Sequence, residues 1–296
     1  AEGGIRDVAV TGVQTCALPI YDEWDYDGIN ENVLIEIPWK GARRKVLVHF
    51  NRNGFAYTID RVTGEVLVAE QFGHQNWAKK IDLATGMPVV NDAAHPIVEK
   101  KVENICPPDI GVKNWNPSAF SPRTGLLYAG IFNTCMDLTN HIVKYIPGSP
   151  YDGMEMVRHP GPGGNWGEFI AWDPVKGKRV WSLKEDMMTW SGVVVTGSDL
   201  VFYGTLDGWF RAVDARSGKV LWSQKLGSAI MSQPIAYMGP DKREYIAVYT
   251  GVGGGAGVNR RVNGFPPGGN TLYVFSVDGA GIGAGASQLR TDAKMP

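Results

Sequence analysis

Two carboxylates stand two positions apart in Trp24-Asp25-Tyr26-Asp27-Gly28, and on an extended strand that spacing puts both on one face. Like charges held so close favour a cation. No His or Cys lies nearby, so the fitting ion is a hard one with oxygen ligands. An acidic turn on a solvated surface is the alternative reading of the same residues. Other chemical signals are weaker. His49, His74, His95, His141 and His159 are dispersed, with no spacing suited to zinc. Gly251–Ala256 and Gly279–Ala284 satisfy G-x-G-x-x-A, but neither opens a helix in a βαβ unit, so nicotinamide binding is not supported. There is no G-x-S-x-G elbow.

The elements that must position the acidic pair are short and repeated. Ala171 to Trp181 (AWDPVKGKRVW) and Ala212 to Trp222 (AVDARSGKVLW) share the frame Ala-x-Asp-x-x-x-Gly-x-x-x-Trp, with Asp173 and Asp214 41 positions apart. Weaker copies run from Thr58 (TIDRVTGEVLV) and from Ile81 (IDLATGMPV). In each copy Asp can hydrogen-bond the backbone just ahead and Gly can take the positive φ that ends the turn, so a hairpin is expected. Around the copies the chain is rich in Val, Phe, Tyr and Trp without 3.6 periodicity, as in Val193 to Asp214. A period of 40 to 45 residues suits four-stranded propeller blades. Trp181 and Trp222 are expected to pack between blades as scaffold.

Bulk composition agrees. The 296 residues include 38 Gly, 18 Pro and 10 Trp, as expected for tight turns between aromatic-rich strands. A formal charge of −1 with scattered Lys and Arg offers no field for a phosphate backbone, so nucleic acid is not an expected partner. No apolar run reaches the roughly 20 residues of a transmembrane helix. Residues 1–20 have neither repeat nor blade character and read as a non-native leader, a hypothesis that resequencing the locus tests. Residues 279–296 lack apolar content and read as a flexible tail. Residues 21–278 remain as the folded part.

Over that part the chain resembles the PQQ-dependent methanol and ethanol dehydrogenases. The resemblance rests on WDYDG with Asn30-Glu31, then His49 to Gly54 (HFNRNG), Ile105-Cys106-Pro107, Lys113-Asn114-Trp115 and Pro117 to Phe120. It continues through Cys135-Met136-Asp137, Pro160 to Asn165, Trp190-Ser191-Gly192, Phe202 to Gly208 and Gly251 to Gly254, in order.

That resemblance implies an all-β fold, the C-terminal blades of an eight-bladed β-propeller with PQQ and a metal ion on its axis. It implies Asp25 as the general base and metal ligand, and Arg52 beside the quinone oxygen, where it would stabilise developing charge. Asn114 and Trp190 would line the cofactor cavity; for Arg52 a surface turn and for Trp190 simple packing are the alternatives. Asp27 stands where calcium-using members commonly have a small residue and lanthanide-dependent members have Asp, so the resemblance favours a lanthanide(III) ion, with Ca²⁺ as the alternative. Cys106 and Cys135 match a cysteine pair, implying a disulfide, although two cysteines alone fit two buried thiols as well. Gly255 stands where the family often has Trp.

The function so implied is oxidation of a small primary alcohol such as methanol, with electrons passed to a c-type cytochrome in the periplasm and a homodimer as the assembly. The N-terminal blades, with further metal and PQQ ligands, would be absent from this chain. A non-catalytic propeller scaffold of the bacterial envelope is the reading from a different class. Quinone-dependent sugar dehydrogenases fit the motif order poorly.

Overall fold

The computed structural model describes residues 22–149, 153–251 and 269–277. The expected leader at 1–20, the expected tail at 279–296 with its G-x-G-x-x-A stretch, and the first such stretch beyond Gly251, Gly255 included, lie outside them. Among the described residues one 3-10 turn, Asp92–Ala94, is the only helix, and antiparallel sheets account for the rest of the regular structure. The all-β expectation holds.

The chain divides into two compact units. The first takes in residues up to Trp115 with Phe132–Trp166 and Asp173–Lys178. It contains a four-stranded meander of β1 (Asn32–Trp39), β2 (Ala42–Phe50), β3 (Phe55–Asp60) and β4 (Val66–Gln71). A ribbon of β5 (Ala78–Ile81) and β6 (Pro88–Val90) follows, and β7 (Lys101–Ile105) pairs with β10 (Thr134–Asn140) beside β11 (Met154–Pro160). The second unit holds β8 (Ala119–Ser121) and most of β9 (Leu126–Phe132), β12 (Gly167–Asp173) and β13 (Lys178–Glu185), which form one four-stranded sheet. A second meander joins β14 (Val194–Val195), β15 (Leu200–Gly204), β16 (Trp209–Asp214) and β17 (Val220–Lys225), and a three-stranded sheet joins β18 (Ile235–Met238), β19 (Glu244–Thr250) and β20 (Thr271–Val277). Up-and-down sheets of this kind are propeller blades.

The repeated hairpin forms as its residue types require. The Oδ1 of Asp60, Asp82, Asp173 and Asp214 each accepts the backbone N–H groups two and three residues ahead. The glycine four residues on takes φ of 60° to 77° and returns its N–H to the Asp carbonyl at 2.7 to 2.9 Å. Ser121 replaces Asp in a fifth copy: its Oγ accepts from Thr124 N at 3.4 Å and its carbonyl from Gly125 N at 2.8 Å. A frame written around Asp does not find it.

Docking tryptophans tie the repeat together. The ring of Trp181 lies on the next hairpin, with Nε1 donating to Ala215 O at 3.1 Å and Cδ2 2.7 Å from where a Cβ on Gly218 would stand. Trp222 meets Phe210 and Phe275 edge-on, at centroid separations of 6.0 and 5.4 Å. Both therefore serve packing. In the first unit Val68 occupies the corresponding place and lies against Gly177, while Thr58 Oγ1 donates to Pro174 O at 2.9 Å.

Gly218→Ala should cost about 2–3 kcal/mol in urea unfolding, since the new methyl meets strain at φ 72° and the Trp181 ring together. Gly125→Ala, at the same φ but with open space around the methyl, should cost only about 1 kcal/mol.

The turn carboxylates also set an acid limit. Asp60 is held low by Arg44, and Asp214 by the hydroxyl and N–H of Ser217. Asp173 is pushed up by burial yet held low overall by the amide and ammonium of Lys176 and the amide of Val175. Because these folded-state values lie below the ordinary 3.8, the stability they contribute is full above about pH 4 and is lost as pH falls through them. Urea midpoints measured from pH 6 to pH 2.5 should fall on the acid limb, and less steeply in Asp214→Asn.

Candidate active site

Burial of two aromatic rings aims the acidic pair. Trp24 and Tyr26 stack at 5.5 Å with planes 15° apart, inside a core that includes Trp77, Phe55 and Met136. Trp24 Nε1 donates to Ala94 O at 2.8 Å, and the Tyr26 hydroxyl donates to Pro107 O at 2.7 Å. Asp25, between the rings, and Asp27, after them, are left on the solvent side. The segment is not the extended strand expected, because Asp25 has φ 65°. Asp22 causes the difference: its carboxylate accepts the N–H groups of Trp24, Tyr26 and Asp27 at 2.9 to 3.1 Å and gathers the segment into a turn. The two acids nonetheless face one another, close enough for a protonated Asp25 carboxyl to donate a hydrogen bond to Asp27.

Arg52 closes the turn from the other side. It sits between β2 and β3, where Gly54 takes φ 92° and Asn53 N donates to Asn51 Oδ1 at 3.0 Å. Its Nη1 donates to the carbonyls of Asp25 and Asp27 at 2.9 and 2.6 Å and lies 3.6 Å from Asp25 Oδ2. The backbone approaches closely to make room: a Cβ on Gly111, at φ 77°, would stand 2.6 Å from Arg52 Cα, and one on Gly28 would stand 2.9 Å from Arg52 Cδ. Val112 N donates to Arg52 O at 2.8 Å.

The electrostatics follow from crowding. Burial pushes the Asp25 carboxyl up to about 6, helped by the hydrogen bond that it donates to Asp27 when protonated and by the charges of Asp27 and Asp109, against the pull of Arg52. An isolated carboxylate pair relieves such repulsion by holding a proton, and a cation relieves it better. This donor set fits a hard metal ion. Arg52 Nε is buried without a hydrogen-bond partner, a donor that an acceptor oxygen of a bound cofactor would satisfy.

The other expected residues are placed as follows. Asn114, in the first unit, has its amide engaged by its own loop: Nδ2 donates to Ile110 O at 3.0 Å and Oδ1 accepts from Trp115 N at 2.9 Å. Trp190 belongs to the second unit and is 2% exposed. Cys106 and Cys135 are joined as a disulfide, both buried, with a ring nitrogen of His74 within 4.8 Å of the sulfurs. Asp22, Glu31 and Lys113 are the contributors that local pattern did not single out. Glu31 and Lys113 stood within the quoted motifs, but nothing in their neighbours announces an ion pair.

Residues 157–246 match the family model described as the β-propeller domain of glucose, ethanol and alcohol dehydrogenases that bind PQQ. The lanthanide-dependent methanol dehydrogenase of Methylacidiphilum fumariolicum (strain SolV) is 46% identical over 241 residues, 80% of this chain and 39% of that protein. Subunit 1 of the methanol dehydrogenase [cytochrome c] of Paracoccus denitrificans is 33% identical over 284 residues, 88% of this chain and 45% of that one. A europium-containing methanol dehydrogenase superimposes with TM-score 0.82 at 42% identity, covering 86% of this chain and 49% of that chain.

This chain resembles the PQQ-dependent methanol dehydrogenases. The two relatives named for a lanthanide or europium are 46% and 42% identical, and the one named for cytochrome c is 33% identical. The chain spans about two fifths of the length of the curated relatives it matches.

The disulfide joins the end of β7 to β10 across a separation of 29 residues. Replacing both cysteines by Ala should therefore lower unfolding free energy by about 3–4 kcal/mol through loop-closure entropy. Denaturant titration with and without a dithiol reductant checks this: reduction should destabilise the unsubstituted protein and leave the double variant unmoved.

Proposed function

We propose that this chain is the part of a PQQ-dependent alcohol dehydrogenase that supplies the general base, one carboxylate edge of the metal site and the arginine beside the cofactor. The observation that carries the reading is the meeting of Asp25, Asp27 and Arg52 on one turn. Bound PQQ would accept the hydride, and a bound metal ion would act as Lewis acid. Asp25 would take the hydroxyl proton of a small primary alcohol at its carboxylate, which Arg52 holds in place. The unpartnered Arg52 Nε–H is the donor available to an acceptor oxygen that gains charge during the reaction. Asn114 and Trp190 are assigned to the cofactor cavity by resemblance alone.

Asp27 decides the choice of metal. It adds a second anionic oxygen donor next to Asp25, which favours a trivalent ion over a divalent one. The named lanthanide and europium relatives support that choice. A c-type cytochrome as electron acceptor is supported by the relative named for it, and a periplasmic site of action and a disulfide in an oxidising compartment agree with one another.

Reconstitution of the complete polypeptide with PQQ and either La³⁺ or Ca²⁺ tests the reading. La³⁺ should restore methanol oxidation, and Asp27→Ala should lower turnover with La³⁺ by at least about 100-fold, since Asp27 would donate to the metal itself and even groups that only support metal ligands cost roughly 10–100-fold. Turnover with Ca²⁺ alone would refute the trivalent assignment, and an Asp25→Asn variant as active as the unsubstituted protein would refute the base.

A further inference from the structure

We propose that the ion pair between the wholly buried Lys113 and the partly exposed Glu31 is the positioning device of the acidic turn. It pins the segment that follows Asp25 and Asp27 to the loop that carries Asn114, and so fixes Arg52 against both acids. The inference rests on the functional reading above for its importance, though not for its geometry.

Lys113 is wholly buried, and its Nζ donates to Glu31 Oε2 at 2.7 Å and to Asn114 O at 3.2 Å. Burial lowers the affinity of this ammonium for its proton, and Glu31 opposes that. The neighbouring Asn30 extends the tie: its Nδ2 donates to Phe50 O at 2.6 Å and to Lys113 O at 3.2 Å. Three separate segments thus meet at one point. They are 25–31, with the acidic pair; 50–52, ending in Arg52; and 110–115, which packs Gly111 against the Arg52 backbone and bonds it through Val112.

A pair with one member wholly buried is a poor way to gain stability, because desolvation of the ammonium offsets much of the Coulomb energy. What an apolar pair lacks is direction. Glu31 and Lys113 can satisfy each other in few relative placements, so the pair restricts how segment 25–31 lies over Arg52. Neither residue is among those assigned to the metal or the substrate; both act through the turn and are positioning residues.

The test compares the complete polypeptide with its Glu31→Leu/Lys113→Met double variant, which removes both charges and avoids an orphaned one. Melting should stay within a few degrees of the unsubstituted protein, because removing both charges together leaves no buried ammonium unpaired. Terbium(III) luminescence, sensitised by Trp24 and Tyr26 beside the acids, should report affinity weakened by about tenfold or more, as for other supporting shells. Amide hydrogen exchange over residues 25–31 and 52 should rise by at least about tenfold while β15 and β16 stay unchanged. Unaltered terbium affinity or unaltered exchange in a double variant that melts normally would overturn the proposal. Absence of terbium binding in the unsubstituted protein would instead sink the metal-site reading, and the exchange comparison would still decide the role of the pair.

Discussion

Trp24 and Tyr26 are drawn into the core as a stacked pair, and the chain between and after them has no choice but to present Asp25 and Asp27 to the other side. Apolar burial worth about 2 kcal/mol per ring outweighs the repulsion of two partly solvated carboxylates. Everything in the site answers that repulsion. The guanidinium of Arg52 takes the two backbone carbonyls and approaches one carboxylate, Asp22 collects three N–H groups of the turn, and a bound cation would relieve the repulsion further.

The hairpin scaffold was legible because its information is local. Asp, the two N–H groups ahead of it and a glycine with positive φ all lie within five residues, so the frame at Asp60, Asp82, Asp173 and Asp214 could be read directly. The same reasoning passed over Ser121, whose hydroxyl does the work of a carboxylate with one oxygen. It also placed Trp181 and Trp222 correctly as packing residues, since a bulky ring at a fixed distance past a glycine has little else to do than lie on the next turn.

The site was legible only in part, and the boundary follows sequence distance. Facing of Asp25 and Asp27 came from alternation, which survived even though Asp25 left the extended region. Two features depend on residues far apart in the chain and left no local trace. One is the approach of Gly111 to Arg52; the other is the burial of Lys113 against Glu31, 82 positions away. A lysine in a polar stretch reads as solvated until its surroundings are known. Similarly, Asn114 was assigned to a cofactor cavity by resemblance, whereas its amide fastens its own loop through Ile110 O and Trp115 N. Those two roles are compatible, because an amide whose plane is fixed by backbone partners is a better-oriented group than one free to turn.

The division of labour also explains how a site can be written on turns without being loose. Turns of a propeller blade carry little packing of their own, and their freedom would blur the placement of carboxylates that must share one ion. Here the turn is held at three points: by two rings in the core, by the arginine that bridges its carbonyls, and by the ion pair of buried Lys113 with Glu31 behind it. Remove the first and the acids lose their direction, remove the second and their charges are unopposed, remove the third and the segment can slide over its support. Each constraint acts on a different degree of freedom, which is why none of the three is redundant and why the charged one is placed where an apolar contact would have been cheaper.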